Sequence, residues 1–287
     1  MGVLTLAWKE KDMILKEAMA GLNKTEPAKL SYSDISDVYI YYIRLDFDPV
    51  GIKYCMNDTE IAKYPVNIRV RTKLTFCQYL AMARGGHKAA FMPSDRCLCQ
   101  NAALVFGFRE LEKEKDTERH MKYLGDKRLA LQAPQEKEKL PPGKCKGIHV
   151  APLAMFDEAE SGPDIVYFMC SPYQAYHILN DYMGGTGRSS LDFHHTPNSA
   201  VCSGSVWAFN NHTANMTTMC AGSKTSGKTD MSMINVFIPG NQIKEVAAQL
   251  IGRVAETGGP SVLGKGGEPW PGMDICKGCP LFKYEEV

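Results

Sequence analysis

Cys99 in CLCQNAALVFGF and Cys202 in SAVCSGSVWAF each stand just ahead of a run of small and apolar residues with helical character. A thiol in the first turn of a helix lies at the positive end of the helix dipole. That position favours the thiolate, the form that ligates metals and attacks electrophiles. Cys97 precedes Cys99 by two residues, so in extended backbone both sulfurs would face one side. The competing reading is plain packing, because free cysteine is among the most buried residue types. A second thiol pair, Cys276-Lys-Gly-Cys279-Pro280, has the spacing that grips one metal ion or one edge of an iron–sulfur cluster. Two thiolates do not complete such a site, which takes four ligands, and Cys145 in PPGKCKG is a candidate partner. A redox dithiol has less support there, since the strand–helix–strand context is missing.

Ten cysteines in 287 residues are unusual for a chain with no mark of an oxidising compartment. The start, MGVLTLAWKEKDM, has too short an apolar run for a signal peptide, and Leu6 stands where a myristoylation signal needs Ser or Thr. No window approaches the roughly 18–20 apolar residues of a membrane span, so a cytoplasmic protein without membrane contact is expected. Lys and Arg total 33 against 32 Asp and Glu, which leaves no basic excess for a phosphate backbone and argues against nucleic acid. Gly222 to Thr229, GSKTSGKT, satisfies the phosphate-loop pattern, but DMSMINVFIPG after it alternates like a strand, so a hairpin loop is expected there. His194 and His195 precede the Cys202 helix, and adjacent strand residues face opposite ways, so at most one could line a site there. No H-E-x-x-H, G-x-S-x-G or paired-carboxylate pattern supports a hydrolase.

The elements that must position the cysteines follow from periodicity. Residues 9–22 space Met13, Ile14, Ala18 and Leu22 as a helix. DVYIYYIRLDF and VGIKYC read as strands, the second ending on Cys55, and TKLTFCQYLAMARGG as a helix holding Cys77 and stopped by Gly85-Gly86. HKAAF is a short strand before the Cys99 helix, and the charged residues 109–143 read as a solvated helix and a linker. The pattern then restarts. GIHVAPLAMF and DIVYFMC are strands, SPYQAYHILNDYMGG is a helix capped by Ser171, and LDFHH is a strand before the Cys202 helix. NMTTMCAG and SMINVFIPG are strands ahead of an amphipathic helix, NQIKEVAAQLIGRV. The shared order of elements points to an internal duplication. The expected architecture is α+β, two duplicated α/β halves packed around a pseudo-twofold junction. The domains would be residues 1–143, residues 144–257 and a Gly/Pro-rich, cysteine-containing tail, 258–287.

PVGIKYC, FCQYLAMAR, CQNAALVFGF, HVAPL, PDIVYFMCSPYQAYHILNDY, SAVCSGSV, MCAGS and VFIPG occur in the order of one known family. From about Pro49 to Leu250 the chain resembles the ArCR-type uncharacterised prokaryotic proteins (domain of unknown function, family 169). The resemblance implies no activity, but it implies a set of cysteines matched by Cys77, Cys99, Cys202 and Cys220. Four is the number an iron–sulfur cluster or a tetrahedral metal takes. Gln100-Asn101 departs from the Pro-Gly that members tend to carry after the first-half cysteine, and Cys97, Cys145, Cys276 and Cys279 are additional to the set.

The leading expectation is a cysteine-ligated metalloprotein of an anaerobic or microaerobic prokaryote, holding an iron–sulfur cluster, [4Fe-4S] by ligand count, on Cys77, Cys99, Cys202 and Cys220. Cys276 and Cys279 would form a second, partial site, zinc is the alternative metal, and a redox partner protein would exchange electrons with the cluster. Two other classes compete. One is a binding module for a small organic molecule or tetrapyrrole, lined by Phe106, His195, Trp207 and Phe209, and the other a thiol enzyme using Cys99 or Cys202. Self-association is open on sequence grounds.

Overall fold

The computed structural model describes residues 26–196, 198–227, 229–230 and 232–257. The helix expected over 9–22 and the tail with Cys276 and Cys279 lie outside the described residues. In chain order the main elements are α1 (Tyr32–Tyr42), β1 (Val50–Cys55), α2 (Asp58–Ile61), α3 (Phe76–Gly86), β2 (Ala90–Pro93), α4 (Gln100–Val105), α5 (Lys113–Leu124) and α6 (Lys127–Glu136). They continue as β3 (Gly147–Pro152), β4 (Ile165–Cys170), α7 (Pro172–Thr186), α8 (Ala200–Asn211), β5 (Asn215–Thr217), α9 (Ala221–Ser226), β6 (Ile234–Pro239) and α10 (Ile243–Thr257).

The fold is mixed α+β, with one antiparallel sheet in the order β2-β3-β1-β4-β6-β5. Read outward from the central β1–β4 pair, the order is the same on both sides. Each side has its first strand in the middle, its third strand next and its second strand at the edge. Strand alternation supplies two cores. In β4, Ile165, Tyr167 and Met169 join one, while Val166, Phe168 and Cys170 join the other. The first core packs α3, α4 and α8 on one face, and the second packs α1, α7 and α10 on the opposite face.

The helix starts are chemically explicit. Ser31 with Asp34, Thr75 with Gln78 and Ser171 with Gln174 form capping boxes at α1, α3 and α7. That cap explains one correction. DVYIYYIRLDF has strand-like composition but lies largely in α1, where Ile35, Val38, Tyr39 and Tyr42 fall at helical spacing into the second core. LDFHH is extended but pairs in no strand. The Asn215 side chain instead accepts from the His194 amide at 2.9 Å and donates to the His194 carbonyl at 3.1 Å, in place of a neighbouring strand. GSKTSGKT is not a simple hairpin loop, since its first part lies in α9. The charged stretch after residue 109 holds two helices, packed on each other as a hairpin, rather than one helix and a linker. No helix among the described residues is long and apolar enough to cross a membrane.

Candidate functional site

Four cysteines sit at four helix starts. Cys77 is the second residue of α3 and Cys202 the third of α8, while Cys99 and Cys220 are the N-cap residues of α4 and α9. All four line one cavity of about 90 Å³, whose wall also includes Thr75, Asn101, Tyr123, Asn198 and Ser199. Cys77 and Cys202 are buried, and Cys99 and Cys220 are half-buried. The packing that assembles them is tight. A Cβ on Gly227, just past α9, would come within 2.9 Å of the Cys77 Cβ, so only glycine lets α9 lie this close to α3. Arg84 of α3 donates to the Gly227 carbonyl at 2.5 Å, and the Thr75 and Ser226 hydroxyls are 2.9 Å apart. On the other side Gly204 lets α8 lie on the sheet, since a Cβ there would meet Thr217 at 2.7 Å.

Cys77 and Cys220 form a thiol–thiolate pair. The hydrogen bond from Cys77 brings the Cys220 thiol down to about 5 against the opposing effect of burial, aided by hydrogen bonds from Ser223 and the Val201 amide. Cys77 is raised by the same bond and then by burial. Burial raises Cys202 well above the usual thiol range, and negative charge on Cys99 and Cys220 raises it further. Negative charge on neighbouring sulfurs thus opposes ionisation of Cys77 and Cys202, an effect that positive charge placed among them would relieve.

The α8 start is arranged for the same charge. Ser199 is its N-cap residue at φ 71, and its hydroxyl makes no capping bond. It accepts instead from Lys137 Nζ at 2.8 Å, which leaves the first-turn amides of a 12-residue helix facing the cysteines. Lys137 is 2% exposed and also lies 2.8 Å from His120 Nε2. Burial lowers its ammonium to about 8, against the pull of Cys202, Cys99, Asp116 and Cys220. Two further polar atoms are buried without a hydrogen-bond partner among the described residues, Asn198 Nδ2 and Asn101 Oδ1, both on side chains of the cavity wall. A buried amide left unpaired is costly, and a group held in the cavity would satisfy it.

The other expected residues are placed elsewhere. Phe106 is in the first core and Phe209 packs against it, both against Tyr54, with ring centroids 6.1 and 5.0 Å away. Trp207 stacks on His194 at 6.0 Å, and His195 is exposed. None of these four lines the cysteine cavity. Cys97 is buried with its thiol toward the Cys99 carbonyl at 3.5 Å, and the Cys145 thiol donates to the Gly147 carbonyl at 3.2 Å. Among the described residues no three His, Cys, Asp or Glu side chains close tightly enough around one point for a single metal ion. Lys137, Ser199, Asn198, Asn101 and Tyr123 are the functional candidates that spacing alone does not reveal. The one local signal was the TPNS turn, which holds two of them.

A family model described as uncharacterised ArCR, domain of unknown function 169, matches residues 40–249. No curated protein and no solved structure matches the chain. The chain belongs to this uncharacterised ArCR family.

Proposed function

We propose that this member of the family is a metalloprotein that holds an iron–sulfur cluster, [4Fe-4S] by ligand count, on Cys77, Cys99, Cys202 and Cys220, and exchanges electrons with a partner protein in the cytoplasm. The observation that carries the proposal is the convergence of four thiols from four helix starts on one small cavity. Two features support it. Negative charge on Cys99 and Cys220 opposes ionisation of Cys202, a conflict that a cationic centre would relieve. The unpartnered Asn198 amide offers a donor to sulfide or thiolate. The volume of about 90 Å³ is small beside the roughly 300–1,000 Å³ of pockets for drug-sized organic ligands, which weighs against a tetrapyrrole in this cavity. The bound group would supply one-electron chemistry. The protein's own part is to hold four thiolates, offer amide donors and keep bulk water out.

The same proposal includes the duplication. By position in the sheet, β1–β2–β3 corresponds to β4–β5–β6, so the edge strands β2 and β5 each lead into a six-residue helix with cysteine as N-cap. This pairs Cys99 with Cys220 and Cys77 with Cys202 across a pseudo-twofold axis. Sequence order alone pairs Cys99 with Cys202, because LDFHH reads there as the missing strand.

Anaerobic reconstitution of the full chain with iron and sulfide tests the proposal. The expected product is brown, with about four irons per chain, and serine at any of the four cysteines removes most of the iron. Iron lost on Cys279→Ser but kept in all four cavity variants would place the cluster in the tail and overturn it.

A further inference from the structure

We propose that Lys137 is the built-in counter-cation of the group bound by the four cysteines, a positioning residue that holds positive charge against one side of the site. The inference rests on the cluster reading above and adds a role for a residue outside the ligand set.

Lys137 is carried to the site by the segment that follows the α5–α6 hairpin. Its two hydrogen bonds are neutral in kind. His120 Nδ1 is 2.6 Å from the Asp116 carbonyl, which can only accept, so Nδ1 carries the proton and Nε2 is an acceptor. The ammonium therefore donates to His120 Nε2 and to the Ser199 hydroxyl, and neither group brings a charge. Among the described residues no carboxylate is within ion-pair distance of Lys137. The nearest acid, Asp116, is committed elsewhere. Arg109 donates to it at 2.8 and 2.5 Å, Arg119 also donates to it, and the Glu112 amide adds a bond at 3.0 Å.

A buried cation without an anion is strongly destabilising. Besides Asp116, the groups whose negative charge would favour the Lys137 ammonium are Cys202, Cys99 and Cys220. All three belong to the proposed ligand set, and Lys137 is bonded to the serine that opens the Cys202 helix. The hairpin segment has no counterpart between α9 and β6, where only residues 227–233 intervene. An anionic centre that gains an electron gains negative charge, and a fixed cation beside it favours the reduced form.

Spectroelectrochemistry of reconstituted full-length protein reads this directly. Lys137→Gln and Lys137→Met are expected to lower the reduction potential by about tenfold in the reduction equilibrium, about 59 mV for a one-electron couple. Lys137→Arg restores at least half of that, and Ser199→Ala, which keeps the charge, shifts it by less than half. A potential unchanged in both neutral variants, or shifted as far by Lys137→Arg, overturns the inference. So does a pair of neutral variants that do not fold while Lys137→Arg does, since the charge would then serve the fold itself. A wild-type chain that assembles no cluster disposes of the cluster reading alone, and cobalt(II) titration of the apoprotein then decides Lys137. Cobalt binding about tenfold weaker in Lys137→Gln and near wild type in Lys137→Arg supports the role. Equal affinities in all three overturn it, and a wild type that binds no cobalt overturns both.

Discussion

The two sides of the sheet place their cysteines alike and surround them differently. On the β1–β3 side, α3 brings Cys77 and the short α4 brings Cys99. On the β4–β6 side, α8 brings Cys202 and the short α9 brings Cys220. α4 packs on α8 and α9 on α3, so each short helix is seated on the long helix of the other side. The difference lies in what precedes the last strand. The first side inserts the α5–α6 hairpin, with its charged network and Lys137, and the second passes from α9 to β6 in a few residues. Matched ligand positions with unmatched surroundings are what a shared site with a directional environment requires. Both sides supply sulfurs, and only the first side, after its α5–α6 hairpin, supplies Lys137.

The largest expected effect breaks the equivalence itself. Serine at Cys77 or Cys202 should cut iron content by at least about fivefold, and serine at Cys99 or Cys220 should do the same, since each pair holds corresponding places in the sheet order. Iron loss confined to one side of the sheet would show that the sides do not share a site. Thiol reactivity in the apoprotein comes next, and here the sides should differ. Cys220 is half-buried and ionises at about 5, whereas burial takes Cys97, Cys145 and Cys170 to about 12. At pH 7 iodoacetamide should label Cys220 at least about tenfold faster than Cys77 or Cys202, and its rate should fall as pH drops through 5. Peptide mass spectrometry that finds Cys202 labelled first would contradict the thiol–thiolate pair.

Much of this was readable before any coordinates, and the exceptions have physical causes. VGIKYC, IVYFMC and the Cys77 helix announce themselves because one period governs each and a cap or glycine ends it. Cys99 and Cys202 were legible as candidates because a thiol at a helix start favours the thiolate, whereas Cys77 and Cys220 joined them only through the family resemblance, Cys220 reading as part of a strand. The α1 segment was not, since its β-branched and aromatic residues serve a helix whose packing outweighs propensity. LDFHH reads as a strand, but it belongs to none, and its His194 backbone is bonded to the Asn215 side chain. Lys137 was hidden by its neighbours. In QEKEKL it looks like one more solvated charge, and only the turn after α6 carries it inward.

Packing gives the third test, because each side depends on one close approach. Gly227→Val pushes α9 off α3 and Gly204→Val pushes α8 off β5, and each should cost about 1–3 kcal/mol in urea unfolding. Only Gly227→Val also moves a short cysteine helix, so it should lose iron more than Gly204→Val at equal loss of stability. If the two variants lose iron in proportion to stability alone, the seating of α9 has no special bearing on the site.

The smallest effect contrasts the two buried carboxylates, one in the inserted hairpin and one between α7 and α10. Burial tends to raise Asp116, but hydrogen bonds from Arg109 and the Glu112 amide, with the charges of Arg109 and Arg119, hold it below the usual range. Its ionisation therefore stabilises the fold above the unfolded value of about 3.9 and ceases to do so as pH falls through the lower folded value. Asp181 is the reverse. Burial takes it up to about 6 despite Arg253, whose Nε and Nη2 donate at 2.8 and 2.7 Å. Its contribution is complete below about 3.9 and is lost as pH rises through about 6. Between pH 3 and 7 the stability gap between wild type and Asp116→Asn should widen, while that between wild type and Asp181→Asn narrows. Slopes of one sign would mean that the arginines of the hairpin do not outweigh burial at Asp116. The network that frees Lys137 from Asp116 would then be weaker than its geometry implies.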